Sequence, residues 1–369
     1  MERNTYALDD TSDLISPALI YYKDIILANT RRVIEMAGGP QRLWPHVKSH
    51  KAAEMIRLQI GLGITRFKCA TIAEAEVTAE AGGGHIILAY PLLGPNISRY
   101  LCLAKGFPKT VFYAIGDNFD ALALLANEAS KTGTNMNVLI DVDMGMHRTG
   151  VPIDSLESLY ERVSAMDGLT LKGMHCYDGH CNDSDISRRK AMAEENDRKV
   201  LSIRESLLGK GHKCEIMVMG GSPSFPCRAG KEGFYLSPGT IFIGDWGYFK
   251  KLPDMAFSPG AAVFTRVVSH QPENTFTLDL GVKGIAADPA TDRGIIAGLP
   301  EAKPLLHSEE HWVFSLPPGM ALPSIGSGQY VIPTHICPTS ALYSEIQAAQ
   351  GGKIVGQWPV SARNRKIKY

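Results

Sequence analysis

The segment 45–51, Pro-His-Val-Lys-Ser-His-Lys, combines residue types that could form a covalent bond with a carbonyl compound. Two lysines and two histidines occupy the six positions from His46 to Lys51. Neighbouring cations destabilise an ammonium group, which favours the free amine needed for a Schiff base, and Lys48 is the candidate. An ordinary solvated basic loop is the alternative, and the residues alone leave both open.

The segment 141–150 offers a residue suited to an anion. Arg148 could hold an anionic oxygen of a cofactor or substrate through its planar guanidinium. A structural salt bridge from Arg148 to Asp141 or Asp143 is the alternative.

The segment 175–181 contains two histidines five positions apart with a tyrosine between them. In a strand-to-loop stretch this spacing does not define a metal geometry. His175, Tyr177 and His180 are therefore candidates for proton transfer or ring stacking only. At least one of the two histidines is equally well explained as a core residue.

Two glycine-containing loops suggest a phosphate site. Glycine lets backbone amides approach an anion closely, and nearby hydroxyls can add donors. Strand–helix barrels often hold phosphate after their last two strands, which is where these loops fall. The candidates are Gly220, Gly221, Ser222 and Thr240. Plain turns are the alternative.

The segment 333–338 pairs an imidazole with a thiol two positions apart. On a strand, residues i and i+2 point to the same face, so His335 and Cys337 would converge as ligands for Zn²⁺ or another transition metal. Two protein ligands leave positions open for water or substrate. A structural pair without metal is the alternative. Residues 309–311, Glu-Glu-His, could support the ligands or form a polar turn.

The elements that must position these residues alternate between strand and helix up to about residue 245. A doubly wound open sheet is one possibility, but no GxGxxG or P-loop motif follows an early strand. Eight strand candidates favour an α/β fold of the (β/α)8 TIM-type barrel class, with reactive residues just after the strands. The candidates are 44–47, 66–69, 85–90, 110–114, 137–142, 171–176, 215–219 and 240–243.

Beyond residue 258 the pattern changes to strands joined by turns, which predicts a C-terminal antiparallel β domain. The candidates are 261–269, 275–280, 311–314, 330–333 and 354–358. We therefore expect a barrel over 15–248 and a β domain built from 1–14 and 249–369.

Composition limits the partners. The 369 residues include 38 Lys+Arg and 38 Asp+Glu, a balance that argues against binding to nucleic acid or a membrane surface. Apolar runs are far shorter than the ~18 residues that span a bilayer. The first residues lack the apolar core of a signal peptide, so a cytoplasmic location is expected. Seven cysteines without a CxxC pair indicate thiols or a metal ligand rather than disulfides.

Taken together, the segments resemble fold-type III pyridoxal-phosphate (PLP) enzymes, which have an alanine racemase-like N-terminal barrel. Within these enzymes they resemble the metal-dependent family of D-threonine aldolase and eukaryotic-type D-serine dehydratase. The resemblance extends over nearly the whole chain. It rests on motifs at 45–51, 73–76, 146–150, 220–222, 238–240, 279–283 and 335–337.

The resemblance implies a barrel that holds PLP, a β domain that holds a divalent metal (zinc, alternatively manganese or magnesium), and a head-to-tail homodimer. By position in the motifs, Lys48 would be the Schiff-base lysine and Arg148 would lie near the phenolic oxygen of PLP. The phosphate would be held by Gly220, Gly221, Ser222 and Thr240, and the metal by His335 and Cys337. The remaining candidates are His175 and His180 for catalysis and Tyr177 for cofactor contact.

Two positions depart from the family pattern. Trp44 precedes Pro45 where these enzymes usually have arginine, which could alter how Lys48 is tuned. The phosphate loop reads Gly-Gly-Ser-Pro-Ser where a Gly-Thr-Gly type is common, which leaves its donors open.

The implied activity is a lyase reaction on a small D-β-hydroxy-α-amino acid. The dehydratase branch has cysteine at the position of Cys337 and the aldolase branch tends to have aspartate. We therefore expect dehydration and deamination to a keto acid and ammonia, with D-serine, D-threonine or 3-hydroxy-D-aspartate as substrate type. Retro-aldol cleavage to glycine and an aldehyde is the alternative. An amino-acid racemase or a non-catalytic PLP-binding protein is more distant, because neither needs the metal pair.

Overall fold

The computed structural model describes all 369 residues, and the chain divides into two compact units. The first, here called the barrel unit, comprises Arg32–Lys48, Ala52–Gly239 and Asn364–Tyr369. The second, the β unit, comprises Met1–Arg31, Ser49–Lys51 and Thr240–Arg363. None of the helices combines the length and the apolar character needed to cross a membrane.

Seventeen strands and ten α-helices make up these units. The strands are β1 Ala18–Tyr22, β2 Arg66–Cys69, β3 His85–Leu88, β4 Val111–Gly116, β5 Met136–Asp143, β6 Val151–Pro152, β7 Leu169–Cys176, β8 Ile216–Met219, β9 Tyr235–Leu236, β10 Ala261–Gln271, β11 Thr275–Leu278, β12 Gly294–Ile296, β13 Lys303–His307, β14 Trp312–Ser315, β15 Gly328–Pro333, β16 Glu345–Gln350 and β17 Lys353–Pro359. The helices are α1 Lys23–Ala37, α2 Ala53–Gly61, α3 Ile72–Glu80, α4 Pro95–Gly106, α5 Phe119–Lys131, α6 Ile153–Ser164, α7 Ile186–Gly209, α8 Phe225–Arg228, α9 Trp246–Lys251 and α10 Ile336–Leu342.

The barrel unit contains a closed parallel sheet. Its strands pair in the order β2-β3-β4-β5-β7-β8-β9, and β6 pairs beside β5. The segment between Leu43 and His46 closes the ring, since Leu43 pairs with Leu236 and His46 pairs with Lys68. The predicted (β/α)8 barrel is therefore confirmed. Six of its eight predicted strands correspond to β2, β3, β4, β5, β7 and β8, and the segment predicted at 44–47 is present only through these isolated bridges.

The eighth predicted strand, 240–243, is wrong. Thr240–Phe242 forms a 3-10 helix, and the last barrel strand is the two-residue β9. Pro238 follows β9 closely, and because proline has no N–H it cannot continue a ladder. The prediction relied on the apolar run Ile241-Phe242-Ile243, which is buried but pairs with no strand. A short buried run does not by itself distinguish a strand from a helical turn.

Three of the helices in the barrel unit, α3, α5 and α7, begin at side-chain caps. Thr71 accepts a hydrogen bond from the amide of Glu74 at the start of α3, and Asn118 accepts from two amides at the start of α5. Asp185 does the same for α7. These caps satisfy amides that have no partner inside the helix. The starts of α3 and α5 are thereby placed just beyond the ends of β2 and β4.

The β unit is built on an antiparallel sheet, as predicted. Its strands run in the order β13-β14-β11-β10-β1-β16-β17, and β15 pairs with both β10 and β12. The five predicted strands correspond to β10, β11, β14, β15 and β17, while β12, β13 and β16 were missed. The N-terminal strand β1 also lies in this sheet, antiparallel to β10 and parallel to β16, and all five of its residues are buried.

The interior of the barrel is packed around Trp44, which is 0% exposed. Its indole Nε1 donates to the carbonyl of Phe67 at 2.6 Å. The rings of Tyr113 and Tyr235 meet it edge-on at 5.5 and 5.3 Å. The guanidinium of Arg66 lies 6.0 Å from the same ring. The departure from the usual arginine thus places a large apolar side chain at the centre of the barrel.

Replacing Trp44 by alanine should lower the free energy of unfolding by about 3–5 kcal/mol, because it leaves a cavity and removes a buried hydrogen bond. Urea unfolding followed by circular dichroism measures the change. The matched control is Leu124→Ala, on a residue that is 55% exposed, which should change the free energy by less than about 0.5 kcal/mol. A Trp44→Ala variant as stable as this control would contradict the packing role.

Candidate active site

Lys48 lies directly after the strand segment that closes the barrel, in the 3-10 helix Val47–Ser49. Its amide donates to Nδ1 of His46 at 3.4 Å. Its Nζ is 5.8 Å from the ring centroid of Tyr177, which follows β7. The candidate amine therefore occupies the strand-end position that the sequence predicted.

Three cations surround the ring of Tyr177. The Nζ atoms of Lys48 and Lys68 lie 5.8 and 5.3 Å from its centroid, and the guanidinium of Arg148 lies 5.2 Å from it. None of these cations forms an ion pair with a carboxylate. We call this group the Tyr177 cluster. A concentration of unpaired positive charge in a barrel mouth is suited to an anionic ligand.

The salt bridge considered for Arg148 is absent, because both carboxylates have other partners. Asp141 accepts from the ring of His175 at 2.7 Å. Asp143 accepts from the amides of Gly145 and His147 at 2.9 and 3.0 Å and from the ring of His147 at 2.8 Å. Asp143 thus organises the loop that carries Arg148.

The end of this loop requires glycine. Gly150 has a φ of +108°, and a Cβ there would lie 2.3 Å from the amide nitrogen of Asp143. Its own amide donates to Asp117 at 2.7 Å. The turn is therefore closed tightly against β5, which limits where Arg148 can lie.

A buried chain of polar groups crosses the barrel beside the Tyr177 cluster. Nζ of Lys68 lies 3.4 Å from Nε2 of His175, whose Nδ1 contacts Asp141. Burial lowers the pKa of His175. Burial, together with the charge of Lys48, lowers the pKa of Lys68 to about 7. Lys68 was not among the sequence candidates, although a lysine between Phe67 and Cys69 in a short strand is a signal.

The glycine loop after β8 has two amides without a protein acceptor, those of Ser222 and Ser224. The amides of Gly220 and Gly221 donate to Cys176 and to Ser224. The hydroxyl of Ser222 accepts from Gly239 at 3.0 Å, whereas the amide of Ser222 donates to no protein acceptor, although the residue is only 6% exposed. Buried amides normally have acceptors, so this donor fits a bound anion.

A buried ion network holds the same loop. Arg228 is 0% exposed and bonds Asp178 at 2.7 Å and Asp197 at 2.6 Å. Asp178 also accepts from the hydroxyl of Ser224. Since removal of one partner would leave a buried charge uncompensated, this network strongly restrains the loop.

His180 has a different environment. Its Nδ1 is buried without a partner, and its Nε2 lies 3.8 Å from the sulfur of Cys181. A Cβ on Gly145 would lie 3.2 Å from Nε2, so the ring packs against the loop that carries Arg148.

In the β unit, the predicted strand setting of His335 and Cys337 is wrong. Strand β15 ends at Pro333, His335 is the N-cap of α10, and Cys337 lies in the first turn of that helix. The two side chains nevertheless interact. Although burial opposes both shifts, the interaction with Cys337 and the carboxylate of Asp288 raise the pKa of His335 to about 9. The same interaction, with hydroxyl contacts, lowers the pKa of Cys337.

The donor set of this pair fits a metal ion. Nδ1 of His335 contacts Asp288 at 2.7 Å, which leaves Nε2 for a metal, and a carboxylate partner is typical of metal-bound histidine. The sulfur of Cys337 contacts hydroxyls of Thr240 and Ser49 at 3.2 and 3.3 Å. No group of three or more metal-ligating side chains is present, so the chain offers two ligands.

Two other sequence candidates have contacts that bear on this pair. The segment 309–311 does not support His335; Glu309 and Glu310 pair with Lys283 at 2.6 and 3.4 Å, and Asp288 takes the supporting position. The hydroxyl of Thr240, a phosphate candidate, contacts Cys337. Asp288 has no motif that would have identified it.

Replacing Gly220 by alanine should destabilise the loop and weaken its affinity for inorganic phosphate. Gly220 has a φ of +75°, and a Cβ would lie 2.8 Å from Oγ of Ser224 and 2.9 Å from Nη1 of Arg228. The matched control is Gly230→Ala, where φ is +77° and the space is open. Both variants carry a backbone strain of about 1 kcal/mol. A larger loss of unfolding free energy and of phosphate affinity in Gly220→Ala is therefore due to the clash with Ser224 and Arg228. Urea unfolding and calorimetric titration with phosphate measure the two quantities. Equal losses in the two variants would contradict this explanation.

Comparison with known proteins matches two successive parts of the chain to two family models. Residues 23–245 match the family model "Alanine racemase, N-terminal domain", and residues 260–349 match the "Putative serine dehydratase domain". The chain is 26% identical to D-threonine aldolase of Arthrobacter sp over 327 residues, which cover 87% of this chain and 85% of the relative. It is 23% identical to D-threo-3-hydroxyaspartate dehydratase of Delftia sp. (strain HT23) over 374 residues, which cover 95% and 98%.

Solved structures agree with this result. The crystal structure of D-threonine aldolase from Filomicrobium marinum superposes with a TM-score of 0.88 at 26% identity, covering 96% of this chain and 97% of that one. The Delftia sp. HT23 dehydratase superposes with a TM-score of 0.83 at 22% identity, covering 94% and 97%. The resemblance inferred from the motifs is confirmed. The chain belongs to the alanine racemase N-terminal domain family and carries a serine dehydratase-like domain after the barrel.

Proposed function

We propose that the protein is a PLP- and divalent-metal-dependent lyase that dehydrates and deaminates a D-β-hydroxy-α-amino acid to a keto acid and ammonia. The observation that carries this proposal is the donor set at the start of α10, where Asp288 holds Nδ1 of His335 at 2.7 Å and Cys337 follows two positions on, a borderline-soft pair suited to zinc. Manganese and magnesium are the alternatives.

When bound, PLP supplies an electron sink at Cα and the metal supplies a Lewis acid for the β-hydroxyl. In this proposal Lys48 would attach the cofactor, and once the substrate amine has displaced it, its free amine would accept the proton from Cα. Arg148 holds the phenolic oxygen, supported by its lack of a carboxylate partner. The loop Gly220–Ser222 holds the phosphate, supported by the unpaired amide of Ser222.

The remaining residues orient these groups. Asp288 fixes the ring of His335 so that Nε2 is available, and the hydroxyls of Thr240 and Ser49 contact the sulfur of Cys337. His175 and His180 stay candidates for proton transfer, and Tyr177 is the ring beside which the cations of its cluster lie. A head-to-tail homodimer and a cytoplasmic location are proposed from the family resemblance. The substrate is a small D-amino acid, and neither nucleic acid nor membrane is a proposed partner.

Retro-aldol cleavage to glycine and an aldehyde is the second candidate. The relatives named D-threonine aldolase and 3-hydroxy-D-aspartate aldolase, each 26% identical to this chain, favour it. Against it stands Cys337, since the dehydratase branch has cysteine at this position. Both reactions act on the same substrate class, so their products distinguish them.

Lys48 should carry the cofactor. After borohydride reduction of the PLP-loaded protein, mass spectrometry should place the pyridoxyl group on Lys48, and Lys48→Ala should reduce turnover at least about 1,000-fold without unfolding the chain. The matched control, Lys51→Ala, removes a cation of the same segment and should retain the adduct. An adduct on Lys51, or none, would refute the assignment.

Product analysis with D-threonine tests the reaction and the metal together. We expect 2-oxobutyrate with stoichiometric ammonia, and removal of the metal by a chelator should abolish turnover while leaving the cofactor attached. Cys337→Asp exchanges a soft ligand for a hard one, which should favour magnesium or manganese over zinc and shift the products towards acetaldehyde and glycine. The matched control is Cys102→Asp, on an exposed free thiol. Acetaldehyde and glycine alone from the unmodified enzyme would refute dehydration and support the second candidate.

A further inference from the structure

Lys68 is a buried lysine with no role in the activity proposed above. It lies on β2, is 1% exposed and forms no ion pair with a carboxylate. Transfer of an ammonium group from water into such a site costs free energy. A residue kept there at this cost, beside a candidate site, indicates a function.

The contacts of Lys68 define a directed chain of hydrogen bonds. Nδ1 of His175 lies 2.7 Å from Oδ1 of Asp141, and Nε2 lies 3.4 Å from Nζ of Lys68. An ionised carboxylate only accepts, so Nδ1 carries the hydrogen and donates to Asp141. In a neutral imidazole Nε2 is then the acceptor, and Lys68 must be the donor.

The charges around these three hydrogen-bonded residues favour one exchangeable proton, which is held on the amine of Lys68. Burial lowers the pKa of His175, so the imidazole is neutral at neutral pH. Burial, with the charge of Lys48, lowers the pKa of Lys68 to about 7, while Asp141 and Asp178 oppose this shift. The titratable and charged groups that face Lys68 from the surrounding elements are Lys48, His46, Asp141, Arg148, His175 and Asp178.

We propose that Lys68 is a positioning residue that fixes the acceptor nitrogen of His175 and, with His175 and Asp141, forms a proton relay beside the Tyr177 cluster. The relay stores one exchangeable proton on the amine of Lys68. When this amine is protonated it adds a third cation beside Lys48 and Arg148, and when it is neutral only two remain. The relay itself rests on the geometry of the barrel, while its part in turnover rests on the proposed function.

The first test measures the tautomer of His175 in the chain without cofactor. Histidine-labelled protein is studied by ¹H–¹⁵N correlation spectra, with His175→Asn assigning the signal. We expect the Nδ1–H tautomer, and Lys68→Met should change the Nε2 shift because its donor is lost. The matched control is Lys131→Met, on a lysine whose side chain is 61% exposed. The Nε2–H tautomer, or an unchanged shift in Lys68→Met, would overturn the relay.

The second test measures the proton on Lys68. In lysine-labelled apo-protein we expect its Cε signal to titrate with a pKa of about 7. Asp141→Asn removes a negative charge that favours the ammonium, so this midpoint should fall. Titration near 10, the ordinary lysine range, would overturn the proposal. Should Lys68→Met fail to fold, Asp141→Asn provides both measurements.

The third test links the relay to turnover. In the PLP-bound enzyme, kcat should fall about tenfold for each pH unit below neutrality. In Lys68→Met, kcat should depend less on pH over this range. Lys68→Arg, which keeps a permanent charge, should show low and pH-independent turnover. An unchanged profile in Lys68→Met would refute the role in turnover. If the spectra confirm the relay but no D-β-hydroxy-α-amino acid is turned over, the proposed function fails and the relay stands.

Discussion

Unbalanced positive charge is the constraint on which the candidate site of the barrel depends. Lys48, Lys68 and Arg148 lie between 5.2 and 5.8 Å from the ring centroid of Tyr177, and none has a carboxylate partner. Like charges held together at reduced solvation raise the free energy of the folded chain. An anionic ligand, or loss of a proton from one of the amines, relieves this repulsion. The fully buried Lys68 is the group for which loss of a proton is favoured.

The carboxylates nearest to these cations are held in other interactions, and this is why the charge remains. Asp141 bonds to His175, Asp143 organises the loop before Arg148, and Asp178 pairs with Arg228 under the glycine loop. Each of these interactions positions a loop or a ring at the end of a strand. The same acidic residues that would neutralise the site are therefore the ones that give it its shape.

The β unit contains a second group of interacting titratable residues, the pair His335 and Cys337. His335 and Cys337 interact directly, and each shifts the pKa of the other towards the charged form. Asp288 holds Nδ1 of the imidazole, while hydroxyls contact the sulfur. A metal binds the thiolate and the neutral imidazole, so metal binding at this pair would release the proton that His335 holds. The two side chains are brought together at the start of α10, and not by the strand setting that the sequence predicted.

Local signals in the sequence determined the class of the fold and most of the candidate site. Strand and helix patterns alternate along the chain, and six of the eight barrel strands follow from them. Motifs placed Lys48, Arg148 and the glycine loop at strand ends, where a barrel collects reactive groups. The apolar run 240–243 misled because burial alone does not specify pairing.

Only the tertiary structure decided which polar groups meet. The pairing of β1 with β10 and β16 joins segments more than 200 residues apart, and no local pattern encodes such a partner. Lys68, His175 and Asp141 come from three different strands, and Asp288 reaches His335 across 47 positions. Their chemistry depends on distances and burial that arise when the strands close into a barrel and a sheet. Residue types therefore determined what chemistry was available, and packing decided which charges remained without a partner.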